Sequence, residues 1–154
     1  MVELALVFIL LVMLLVGTVS AAVAYGRSNS IQNAAREASR FGATLPGPVD
    51  AAWFQDVQGV AESAAQGDLD AVVPNSQICV AFIKKDDSKS HFIDIASGVQ
   101  SGGCPGYDDG RDGNEEARVN VVTQRDTPLN AILFSVDMTL ESEASGRYER
   151  EVSP

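Results

Sequence analysis

The sequence predicts an α+β protein: one long N-terminal α-helix, then a small head in which a second helix accompanies an antiparallel β-sheet. Three observations predict it. Residues 4–25 (LALVFILLVMLLVGTVSAAVAY) form an apolar run of 22 residues without a charge. Residues 27–42 carry on in helical phase, with Ile31, Ala34, Ala35, Ala38 and Phe41 on one face. From residue 77 onward the apolar residues change to short extended and alternating stretches.

The first element is a helix over residues 2–41. At about 1.5 Å per residue its length is on the order of 60 Å, and the charge-free run alone covers the roughly 30 Å hydrocarbon core of a bilayer. Its first half is apolar all round and its second half amphipathic, so the second half requires a partner surface. A cleavable signal peptide is one alternative, because Ser20-Ala21-Ala22 and Ala22-Val23-Ala24 resemble small-residue processing sites. The flanks oppose it: the run is overlong, and Glu3 stands where a signal peptide carries positive charge. A permanent membrane anchor is the other. Arg27, Arg36 and Arg40 all follow the run, which by the positive-inside rule would leave the head in the cytoplasm. The cysteines argue for an extracytoplasmic head, so the expectation is a basic leader removed before this N-terminus.

Organisation follows from the same division: a hydrophobic-to-amphipathic helix over 1–43 and an acidic head over 44–154. The chain has 21 Asp and Glu against 11 Lys and Arg. Residues 1–50 hold three of each sign, so the whole acidic excess lies in the head. An acidic surface repels phosphate backbones and anionic headgroups, which disfavours nucleic acid as a partner of the head; solubility is the plainer reading of the charge, with cations or basic ligands as candidates.

After Gly42, read as a helix stop, Pro46, Gly47 and Pro48 form a loop. Asp50 caps a shorter helix through residue 66, with Trp53, Val57, Val60, Ala61 and Ala64 inward, Gln55, Glu62 and Gln66 outward, and Gly67 as its stop. Residues 77–84 (QICVAFIK) are apolar on both faces, as a central strand requires. Residues 85–90 read as a turn and residues 91–95 as the hairpin partner. Residues 96–114, with six glycines and Pro105, read as a long loop. Residues 118–124 form a further strand, and Thr127-Pro128 is expected to start a short helical turn, PLNAILFS. Residues 137–149 alternate most clearly: Met138, Leu140, Ser142, Ala144, Gly146 and Tyr148 inward, the acidic series outward.

No catalytic pattern is present; the chain has one histidine, His91, and lacks the nucleophile-elbow, zinc-protease and phosphate-loop motifs. No cofactor is expected. Cys79 and Cys104 are expected to form a disulfide, which would close a loop of about 26 residues and contribute on the order of 3 kcal/mol; two buried thiols are the alternative. Asp108, Asp109, Asp112 and Asn114 form an oxygen-rich loop that calcium would suit, although the spacing is not that of an EF-hand, and a solvated turn is the plainer reading. Glu3 stands out because a carboxylate against hydrocarbon is unfavourable by about 2.5–3.5 kcal/mol at a helix centre, less near an end.

Glu3 at the head of an apolar helix, followed by Gln32-Asn33-Ala34-Ala35-Arg36-Glu37-Ala38-Ser39-Arg40-Phe41-Gly42-Ala43, resembles the start of TadE-like proteins, pilin-like subunits of tight-adherence (type IVc) pilus systems. The strand at 119–123, Thr127-Pro128-Leu129 and the terminal strand resemble the second half of that family in the same order. The resemblance implies a pilin-like structural subunit without enzymatic activity. It would be held in the inner (cytoplasmic) membrane before assembly and then packed through its helix into an extracellular filament used for adhesion. It implies a prepilin peptidase, which removes the basic leader, and the pilus assembly machinery as partners, with copies of this chain or other pilin subunits as neighbours. Glu3 would guide assembly; in mature type IV pilins that glutamate is fifth, and here it is third. The helix-packing positions would be Leu4, Phe8, Leu11, Leu15, Ile31, Ala34, Ala38 and Phe41. The alternative is a permanently anchored extracytoplasmic binding module whose acidic loop engages calcium or a basic ligand.

Overall fold

A computed structural model of the chain describes residues 2–69, 76–83, 89–95, 98–100, 117–130 and 135–148. Helix α1 (Val2–Thr44) is unbroken, since no proline interrupts it before Pro46. It closes when the Thr44 hydroxyl donates to the Phe41 carbonyl at 3.1 Å and the Leu45 amide to the same carbonyl at 2.9 Å. The helix therefore passes through Gly42, which sequence reading takes as its stop. Gly42 is there for packing: a Cβ would lie 2.9 Å from Val119 Cγ1 and 3.1 Å from Val57 Cγ2.

Helix α2 (Ala51–Ala64) begins as expected, with the Asp50 carboxylate accepting from the amides of Ala52 at 3.1 Å and Trp53 at 3.0 Å. It ends two residues early because Gln66 and Gly67 both take positive φ, 51° and 88°, and turn the chain back. Its inward face is wider than the periodicity indicates: Phe54 and Gln58 are buried beside Trp53, Val57 and Ala61.

Five strands follow, β1 (Gln77–Ile83), β2 (Lys89–Ile95), β3 (Gly98–Gln100), β4 (Arg118–Asn130) and β5 (Ser135–Arg147). They form one antiparallel sheet in the order β3-β2-β1-β4-β5. As its two-sided apolar pattern requires, β1 is internal: Ile78, Val80 and Phe82 face the helices, and Cys79 and Ala81 are buried on the other side.

Two expectations are corrected. The stretch 96–114 is not loop throughout, since Gly98–Gln100 pairs with β2, Ile95 opposite Gly98 and Ile93 opposite Gln100. Thr127, Pro128 and Leu129 do not start a helix but continue β4 opposite Met138, Asp137 and Val136; residues 131–134 lie outside the described residues. The physical reason is that β1 covers β4 only from Arg118 to Gln124, leaving Pro128 where the strand is paired on one side and a missing N–H is tolerated. The hairpin partner of β1 starts at Lys89, two residues before the expected start. The alternation of β5 holds from Leu140 on, with Leu140, Ser142, Ala144 and Gly146 half-buried, Tyr148 buried and their neighbours exposed; Met138, expected inward, is exposed because the strand has there passed the end of β1.

Both helices lie on one face of the sheet. Between them an edge-to-face aromatic series runs Phe54, Trp53, Phe82, Tyr148, with centroids 5.0, 5.8 and 5.1 Å apart in turn.

Candidate functional site: the divided N-terminal helix

The same helix has two surroundings, and the change falls at Ser30 and Ile31. From Ile31 onward α1 is part of the head's core: Ile31, Ala34, Ala35 and Ala38 are fully buried against β4, β5 and α2. This is the partner surface that amphipathicity demanded, and it belongs to the same chain. Small residues make the approach close. Opposite Ser39, a Cβ on Gly146 would lie 2.6 Å from the Ser39 carbonyl oxygen, a backbone atom that can yield only if the helix lifts away. Thus the Ala34-Ala35 to Gly42-Ala43 stretch is a docking seam that only short side chains permit.

Side-chain hydrogen bonds lock the junction. Ser30 Oγ donates to the Ala65 carbonyl at the end of α2 at 2.9 Å, and buried Thr123 Oγ1 lies 3.2 Å from the Ile31 carbonyl and 3.3 Å from that of Ser142. Two residues further along β4, Arg125 Nη1 donates to the Asp68 carbonyl at 2.9 Å and ion-pairs with its carboxylate, tying the turn after α2 to β4. At the other end of the seam Tyr148 closes the core, its amide donating to the Ala117 carbonyl at 2.7 Å.

Before Ser30 the helix projects. Leu4 is 76 % exposed, Phe8 63 %, Leu11 58 % and Leu15 55 %, and Leu10, Leu14 and Tyr25 on other faces are equally open. Apolar side chains therefore stand open over most of the circumference of a rod of about 43 Å at 1.5 Å per residue, and only the face through Val12, Met13, Val16, Ser20 and Ala24, in line with the docked seam, is half-buried. Exposed apolar surface of this extent marks a membrane or protein contact. By length and composition this is a helix able to cross a membrane. Gly17, Thr18 and Ser20 do not interrupt it; the Thr18 hydroxyl donates back to the Leu15 carbonyl at 2.9 Å.

The other expected site residues separate into three groups. Glu3 lies in the first turn of α1. Of the packing positions, Leu4, Phe8, Leu11 and Leu15 project, whereas Ile31, Ala34 and Ala38 are spent on the head and Phe41 packs partly against it. Cys79 is buried on the far face of β1; Cys104 and the calcium candidates Asp108, Asp109, Asp112 and Asn114 lie outside the described residues. Among the described residues no group of three or more His, Cys, Asp and Glu side chains could hold a metal. Sequence reasoning missed Ser30, Thr123 and Arg125, polar residues whose partners are 35, 92 and 57 positions away. No local signal marks them.

The family model described as "TadE-like protein" matches residues 1–40. That span takes in the whole projecting half and most of the docking seam. No curated protein and no solved structure matches the chain.

Proposed function

Because the first 40 residues of this chain are TadE-like, we propose that it is a membrane-associated, pilin-like structural subunit of a Tad pilus. The observation that carries the proposal is the division of α1. A helix that served only to stabilise a soluble head would start near Ser30, yet α1 begins about eight turns earlier, with exposed apolar side chains over most of its circumference. Such a rod is suited first to a bilayer and then to a bundle of like helices, where it exchanges lipid for protein contacts. The inner membrane holds the subunit before assembly, and a filament outside the cell receives it. A prepilin peptidase and the pilus machinery act on it in between. Copies of this chain or other pilin subunits are its neighbours, and the acidic head faces solvent, where adhesion takes place. Its role is structural, with no reaction and no cofactor.

In this reading Glu3 serves assembly. A carboxylate near the start of an apolar helix neutralises the N-terminal amine of the neighbouring subunit as both leave lipid. Removing one partner of a buried charge pair is unfavourable by about 3–5 kcal/mol, and the penalty recurs at each subunit. Glu3→Gln should therefore leave the chain in the membrane fraction with its head folded while sharply reducing its yield in sheared filaments. Equal filament yields for both proteins would contradict the assembly role and favour a permanent anchor.

The head's second face supplies a further part of the proposal. Cys79, Ala81, Asn120 and Val122 are buried there, and a disulfide from Cys79 to Cys104 would fasten the Gly-rich stretch across it. Peptide mapping without reductant should recover the two cysteine peptides joined; both thiols alkylatable in the native protein would contradict it.

A further inference from the structure

The hairpin of β4 and β5 is longer than the sheet requires. Beyond Gln124 it leaves β1 behind and continues as a two-stranded ribbon, with Leu129 opposite Val136 and Thr127 opposite Met138. Two contacts fix its direction relative to α1. The Thr123 hydroxyl joins Ile31 of α1 to Ser142 of β5, and Gly146 sits against Ser39. From Ser142 to Gly146 a strand advances about 13 Å, and from Ile31 to Ser39 a helix advances about 12 Å. The two elements therefore run side by side in the same direction, so the ribbon heads back toward the projecting half of α1. Continued at the same rate, Met138 and Val136 reach the level of residues about 18–22 of the helix. That level lies inside the charge-free stretch 4–25.

The ribbon is also two-sided. Val136 is 50 % and Met138 42 % exposed on the side that faces the helices further along β5, while Asp126, Asp137, Thr139 and Glu141 occupy the other side. At that level the helix face in line with the docked seam is half-buried at Ser20 and Ala24, whereas Val19 and Val23 on its flank are exposed.

We propose that the end of the β4–β5 ribbon, through Val136 and Met138, is a second membrane contact that dips into the bilayer interface beside α1. The inference rests on the reading of α1 as the membrane-spanning helix. The occupant is a lipid surface because the apolar side of the ribbon lies level with the lipid-facing part of the same rod, at the roughly 5–10 Å depth typical of interfacial elements. The consequence is orientation: a single helix leaves the head free to tilt and rotate, whereas two contacts fix which face of the head meets a growing filament.

The test uses the full chain in phosphatidylcholine vesicles that carry a nitroxide in the shallow acyl region. Wild type has one tryptophan, Trp53, buried in the head and serving as the unquenched reference. Met138→Trp should lose most of its added emission to the nitroxide lipid, and Leu15→Trp should do so with a deep nitroxide. If Leu15→Trp is quenched and Met138→Trp is not, the ribbon inference is overturned and a contact with a second copy takes its place. If neither is quenched, the membrane reading of α1 fails and the inference falls with it.

Discussion

The two halves of α1 have the same backbone and opposite requirements. In the docked half the buried positions are Ile31, Ala34, Ala35, Ala38, Ser39, Gly42 and Ala43, so the axis lies close to the sheet and the polar residues Asn33, Arg36, Glu37 and Arg40 remain in water. In the projecting half Leu, Val, Ile and Phe occupy all faces, and no residue of the window that would cross a membrane is buried. The difference teaches that hydrophobicity alone did not decide what the head buries. The more apolar half was left out, and the half with smaller side chains was taken in, because close approach to β5 depends on size.

That comparison can be broken most forcefully at Gly146. Gly146→Val places a side chain against the Ser39 carbonyl, where the helix must lift from the sheet, and overpacking of this kind destabilises by about 1–3 kcal/mol. Urea unfolding in detergent, followed through Trp53, should show a clear fall in midpoint. Leu11→Ala sharpens the comparison from the other side. Leu11 is as large as any buried residue of the seam, yet its removal should change the same midpoint by no more than about 0.5 kcal/mol, the range for surface substitutions. A large effect there would mean that the projecting half contributes to the head after all.

Much of this was readable from the chain. The length of α1 and the phase of its docked face followed from spacing, the start of α2 from Asp50, the central place of β1 from apolar residues on both its faces, and the buried side of β5 from its alternation. What escaped reading depended on partners distant in sequence. Gly42 carries the local signature of a helix stop, and only the approach of Val119, Val57 and Trp53 explains it as a contact. Thr127-Pro128 carries the signature of a helix start, and only pairing with Asp137 and Met138 turns it into strand. Three residues are too few for β3 to show a period. At the site, the exposed apolar run and its family likeness were legible; the locking hydrogen bonds of Ser30 and Thr123 were not, because a hydroxyl does not reveal which distant carbonyl it will meet.

The central claim is that α1 is divided at Ser30 and Ile31 into a structural half and a membrane or filament half. Deleting residues 1–25 tests it most directly. The remaining chain keeps every buried α1 residue and the junction hydrogen bonds, so it should leave the membrane fraction, stay soluble and unfold cooperatively with the Trp53 midpoint of the full chain. A shortened chain that fails to fold, or that unfolds well below the midpoint of the full chain, would contradict the division.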